Sequence, residues 1–94
     1  MNNREIVENF KNEMLAKLVK REDRYAPLGW QTLDLKRLVI LLKAELQELE
    51  EHMVIDDRMR IGEGKSYRSL AQDNAVDIGN YAMFIHYLIS SGKS

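Results

Sequence analysis

The 94-residue chain contains no cysteine, which excludes disulfides, thiolate zinc sites and a cysteine nucleophile together. It has one proline, Pro27, and five glycines, so little in it interrupts a helix. It has no excess of either charge. Fourteen Lys and Arg face fifteen Asp and Glu, a net charge of −1 that lacks the basic surplus of a protein built to coat nucleic acid. No long nucleic acid is therefore expected as a partner. Long apolar runs are missing too. Residues 78–92 form the longest stretch without a formal charge, and a membrane span needs about 20 mostly apolar residues. The first six residues carry no apolar signal region, and together these features point to a soluble, cytoplasmic protein with no membrane partner. What is present is a 45% share of hydrophobic residues, too many for a disordered chain, in a length that fits a single domain over residues 1–94.

The apolar residues fall into three helical segments. From residue 4 to about 21, Ile6, Val7, Phe10, Met14, Leu15, Leu18 and Val19 recur at spacings of three and four and make one stripe. Pro27 and Gly29 mark a connection. Thr32 is then placed to cap a second helix, with Asp34 in its first turn at the positive end of the dipole. That helix runs from residue 33 to about 54, with Leu35, Leu38, Leu42, Leu49 and Met53 on one side. The polar residues 56–65, which include Gly62 and Gly64, end it. Ser66 is a candidate cap for a third helix over residues 67–90. No segment alternates with period two between turn residues, so the class is all-α. Beyond Asp77 the third helix is apolar on nearly every side, which requires it to be surrounded. Two helices of so short a chain do not suffice, so three helices per chain are expected to build a four-helix core by homo-oligomerisation, as a homodimer or homotetramer.

Carboxylates interrupt the stripes. Glu45 and Glu48 lie in the second helix where the row Leu38, Leu42, Leu49 should continue, and residues three apart point the same way. In the third helix Asp77 sits within the row Leu70, Tyr81, Phe84, Leu88, with Asn74 or Asp73 one turn earlier. An inward acid costs several kcal/mol unless it meets a cation or a donor. Oxygen ligands without cysteine favour magnesium or manganese over zinc. Glu50, Glu51, Asp56 and Asp57 read as solvated. A di-iron bundle needs Glu-x-x-His on two helices. Here Leu49 precedes His52 by three and Met83 precedes His86, so the pattern fails twice and each histidine reads as a surface or core-edge residue.

With these residues in place, the chain resembles the MazG-like nucleoside triphosphate pyrophosphohydrolases of the all-α NTP pyrophosphatase superfamily. Their mark is Glu-Glu-x-x-Glu on one helix and Glu-x-x-Asp on a later one. Leu42-Lys-Ala-Glu-Leu-Gln-Glu-Leu49 matches the first half, with Glu45 and Glu48 on its second and third acidic positions. Asn74-Ala-Val-Asp-Ile-Gly-Asn-Tyr-Ala-Met83 matches the second half, and the resemblance covers about residues 33 to 90. Ala44 stands where the family has its first Glu, and Asn74 where it has the Glu of Glu-x-x-Asp. Two carboxylates fewer weaken the hold on a metal. The resemblance implies an enzyme that hydrolyses an NTP or dNTP to monophosphate and pyrophosphate with Mg2+, or Mn2+ in its place. It implies Glu45, Glu48 and Asp77 as metal ligands, completed by Asn74 or Asp73. Glu48 and Glu45 become the catalytic carboxylates, Glu48 as the base that orients water, and Asn80 faces the same cavity.

A nucleotide substrate also needs cations and a stacking surface. Arg58, Arg60, Lys65 and Arg68 cluster between the motifs with only Glu63 opposing, Lys43 adjoins the first motif, and Trp30 or Tyr25 offers a ring for a base. Gly64-Lys-Ser66 and Gly92-Lys-Ser94 are not P-loops, because Met59 and Tyr87 stand where the earlier glycine is needed and no strand precedes either. The competing expectation is a non-catalytic helical module that oligomerises or binds a partner through its third helix.

Overall fold

The computed structural model describes residues 1–20, 34–58 and 67–92, with the side chains of 56–58 outside the description. Three α-helices carry these residues: α1 Asn3–Lys20, α2 Leu35–Arg58 and α3 Tyr67–Ser90. Thr32 and Ser66, the expected caps, lie outside the described residues, as does the connection around Pro27. No strand occurs among the described residues, in keeping with the absence of period-two patterning.

Each helix end that is described has a local chemical cause. Asn2 caps α1, its Oδ1 accepting from the Glu5 backbone N–H at 2.9 Å. Lys17 and Lys20 sit in the last turn of α1, where the dipole favours cations. Asp34 caps α2: its Oδ1 accepts from the Arg37 N–H at 2.7 Å. It is thus the cap itself rather than a first-turn residue. A short oxygen one residue before the helix begins can reach the orphan N–H groups of the first turn. α2 runs on past Val54 to Arg58. α3 ends on Gly92, whose φ of 72° is the left-handed conformation glycine takes without strain, while its N–H bonds to the Ile89 carbonyl.

α2 and α3 pair antiparallel. Leu38 near the start of α2 packs with Phe84 and Leu88 near the end of α3, whereas His52 lies beside Tyr67 at the opposite end. Leu38 and Leu88 are fully buried, and Leu18, Leu35, Tyr81 and Ile85 pack around them. Removing either leucine side chain costs about 2–5 kcal/mol by comparison with other buried leucines. The rows expected on α2 and α3 thus form a core, although Leu70 and Met53 at its margin are exposed.

α1 departs from expectation. Its row of apolar residues covers nothing completely: no α1 residue is buried, and only Met14, Lys17 and Leu18 are half-buried. It meets α3 where α3 is thinnest. A Cβ on Gly79 would lie 2.7 Å from two ring atoms of Phe10 and 3.5 Å from the Met14 sulfur, so the glycine admits the α1 ring. No described helix is long and apolar enough to cross a membrane.

The Phe10 seat gives a test by hydrogen exchange. Gly79→Ala is expected to push Phe10 outward and speed amide exchange throughout α1 while leaving α2 and α3 unchanged. In a Phe10→Ala background the same change meets no ring and stabilises α3 by about 1 kcal/mol through helix propensity alone. Unaltered exchange in α1 of the single variant would show that the ring does not seat the helix.

Candidate functional site

The antiparallel register of α2 and α3 fixes what faces what. With Leu38 opposite Phe84 and Leu88, the middle of α2 comes against the stretch of α3 that carries Asn74 and Asp77. Asn74, Asp77 and Asn80 recur every three residues and are the buried polar residues among those described, each at most 7% exposed. Glu45 on the facing helix is half-buried and Glu48 exposed, which places the pair at the lip of the seam.

Asn74 is the hub of this seam. Its Nδ2 donates to Glu45 Oε2 and to Glu48 Oε2, each at 2.9 Å. Its Oδ1 lies 2.6 Å from His52 Nδ1, which donates with that nitrogen protonated. One amide therefore bridges two acids and is itself oriented by a histidine. Asp77 is neutralised from α1: Lys17 Nζ lies 3.0 Å from its Oδ1 and also donates to the Asp73 carbonyl oxygen at 2.9 Å. Asn80 Nδ2 donates to the Met14 carbonyl oxygen at 3.4 Å, and its Oδ1 is buried without a partner among the described residues.

The electrostatic consequence falls on Glu45. Burial raises its carboxyl above the ordinary glutamate range. The Asn74 hydrogen bond opposes that rise, the charges of Asp77 and Glu48 add to it, and Lys17 opposes it.

Of the residues expected from sequence, Glu45, Glu48, Asn74 and Asp77 come together. Asp73 does not join them; it is exposed and enters only through its backbone carbonyl, so Asn74 is the one that meets the glutamates. Asn80 lies one turn along the same face, turned to α1. Lys43 is exposed on α2. Arg68 lies elsewhere, lining with Met53, Ser69, Ala71, Gln72 and Ala75 a shallow cavity of about 390 Å³ beside the seam. The Arg58 side chain, Arg60, Lys65, Trp30 and Tyr25 are outside the described residues. Two members went unforeseen, Lys17 and His52. Lys17 adjoins the apolar row of α1, and His52 falls one turn beyond Glu48 on the same face, a spacing that signals proximity to the acids.

The donor set can be weighed against a divalent cation. Among the described residues no three His, Cys, Asp or Glu side chains stand as a preformed metal cage. Asn74 lies between the glutamates, and Lys17 takes Asp77. Yet three carboxylates face one ammonium, burial disfavours the Glu45 charge, and every carboxylate oxygen is a hard donor of the kind magnesium takes. Carboxylate and amide oxygens are the donor type magnesium or manganese takes, but the set is joined by hydrogen bonds and an ion pair rather than arranged around an ion. No family model matches the chain, and no curated protein or solved structure matches it.

Glu45 supplies a pH test. A carboxyl raised in the folded state binds more protons there than in the unfolded chain, so stability falls as pH rises from the ordinary glutamate range through the raised value. Without divalent ions, Glu45→Gln is therefore expected to raise the melting temperature at pH 7. The gain should vanish below pH of about 4, where both states are protonated. Thermal melts across that range check it, and a gain independent of pH contradicts it.

Proposed function

We propose that this chain hydrolyses nucleoside or deoxynucleoside triphosphates to the monophosphate and pyrophosphate, using a divalent cation, in the manner of the MazG-like enzymes it resembles. The observation that carries this reading is the convergence of Glu45 and Glu48 on Asn74, with Asp77 near enough for its charge to act on Glu45, from two sequence motifs on different helices. Glu45, Glu48 and Asp77 would hold magnesium or manganese, with the Asn74 oxygen as the neutral fourth donor. Such an ion supplies charge neutralisation for the phosphates and acidifies a water.

The chain's own residues do the rest. Glu48, exposed at the lip, accepts a proton from the attacking water and orients it toward a phosphorus; Glu45, deeper and harder to keep charged, keeps its oxygens for the cation. Asn74 and His52 fix the spacing of the two glutamates. Catalysis of this kind is mostly positioning and electrostatics, so the rigidity of the α2–α3 seam matters as much as the acids. Lys43 and the basic residues between the motifs, Arg58, Arg60, Lys65 and Arg68, are the phosphate-binding candidates, and Trp30 the stacking one.

Self-association belongs to the same reading. Ile6, Val7, Leu15 and Val19 of α1 and Ile89 of α3 are each more than half exposed. A second copy would cover them and complete a four-helix core. That exposed surface also favours the second reading, a non-catalytic helical module that assembles or binds a partner, for which the acids serve only to join the helices.

The two readings separate in one assay. Incubation with a panel of NTPs and dNTPs plus magnesium is expected to release pyrophosphate from at least one, and Glu48→Gln is expected to cut kcat by about 100-fold or more, the scale of a positioned general base. No pyrophosphate from any nucleotide, with magnesium or manganese, would leave the assembly module as the reading. Activity untouched by Glu48→Gln would displace the site.

A further inference from the structure

One row of α2 is not used up by its pairing with α3. Leu35, Leu42 and Leu49 are spaced by seven residues, as are Val39, Leu46 and Met53, and the two sets interleave at steps of four and three. These are the d and a positions of a heptad carried through three repeats, the spacing with which two helices interlock their side chains. The g positions beside the row, Leu38, Glu45 and His52, are the ones that meet α3: Leu38 in the core, the other two at the Asn74 amide. The row itself is open. Val39 is 38% exposed, Leu46 49% and Met53 37%, while Leu35, Leu42 and Leu49 are only half-buried. Among the described residues α1 lies against α3 and not against α2, so it does not cover the row.

We propose that this row seats a second copy of the chain, with the two α2 helices antiparallel. Reversing one helix sets every a residue against a d residue. Leu35 then comes opposite Met53 of the second copy, Val39 opposite Leu49, and Leu42 opposite Leu46. The row is its own partner, as a twofold interface requires. Charge selects the direction. The e positions on the open flank are Lys36, Lys43 and Glu50, all exposed. In an antiparallel pair the two e flanks lie on the same side, so Lys36 of each copy meets Glu50 of the other; Lys43 faces its own counterpart near the axis. A parallel pair would turn each e flank toward the other copy's g flank, which α3 already occupies. The antiparallel pair also puts both α3 helices on one side of the α2 helices and closes a four-helix core. Leu35 of the second copy stands at the shallow cavity that Met53 lines with Ala71 and Ala75. Glu48 is a c position, on the far side of α2 from the row, so pairing leaves the lip of the polar seam open. The proposal rests on the self-association given above and supplies it with a surface distinct from the α1 row, whether or not the chain is a hydrolase.

Sedimentation equilibrium on the intact chain tests this, with the assembly mass read against the 11.0 kDa of one chain. The wild type is expected to hold two chains, or four where the α1 row pairs as well. Leu46→Glu puts a charge into two apolar layers of the interface from a position the single chain leaves exposed, so it should halve the mass while circular dichroism stays helical. Glu50→Lys sets lysine against Lys36 at both ends and should weaken association about tenfold, and Lys36→Glu combined with Glu50→Lys should restore it. Should Leu46→Glu unfold, this rim pair reads the same interface. A mass that folded Leu46→Glu leaves unchanged overturns the α2 row; if Val7→Glu then halves that mass, self-association through α1 stands without it. A double variant as weak as Glu50→Lys overturns the antiparallel pairing. A wild-type chain that stays at 11.0 kDa overturns this proposal and the self-association together.

Discussion

Carboxylates that face one another across a helix seam repel, and each loses the water that would otherwise stabilise its charge. Asn74 makes such a seam possible here. Its amide gives one hydrogen to Glu45 and one to Glu48, both at 2.9 Å, while its oxygen is held by His52. Hydrogen bonds to a charged acceptor contribute about 1.5–3 kcal/mol each when neither partner is left unpaired. A single residue thereby ties two acids on α2 to α3 at mid-seam. The apolar contacts of Leu38, Phe84 and Leu88 close one end of the helix pair; the polar hub sets how the middle is spaced.

From that hub the rest of the arrangement follows. Asp77, one turn from Asn74, is met by Lys17 from α1. The ion pair and the Phe10 seat on Gly79 hold α1, which has no buried residue of its own. Structure and proposed chemistry use the same atoms. In the hydrolase reading a cation takes over the carboxylate oxygens that Asn74 and Lys17 now engage, so binding it must compete with contacts that hold the chain together. Fewer carboxylates make that competition harder to win, while a neutral amide in place of an acid lets the helices close without metal.

Much of this was legible in the residues. The three- and four-residue spacing of Leu35, Leu38 and Leu42, with Leu49 two turns on, and of Tyr81, Phe84 and Leu88, marked the faces that are buried or half-buried. The breaks at Glu45, Glu48 and Asp77 marked the seam's polar stretch. Periodicity names a face and not its cover, which is why α1's apolar row suggested burial that the single chain does not supply. The choice between Asn74 and Asp73 turned on a rotation of one residue, about 100° around the helix, finer than a stripe can resolve. Lys17 drew no expectation and His52 read as a surface or core-edge residue, because a lone lysine in a helix's last turn and a lone histidine beyond an acidic run usually meet solvent. Their partners lie on other helices.

The hub itself can be tested by adding the charge it lacks. Asn74→Asp removes two amide donors and places a fourth carboxylate among three. Thermal melts at fixed protein concentration, with and without magnesium or manganese, read both consequences. The melting temperature is expected to fall by about 5–15 °C without divalent ions, the scale of one to three kcal/mol in a domain of this size, and to recover with either ion by more than wild type gains. A variant that melts where the wild type does, and ignores both ions, would contradict the role given to Asn74 and the acids around it.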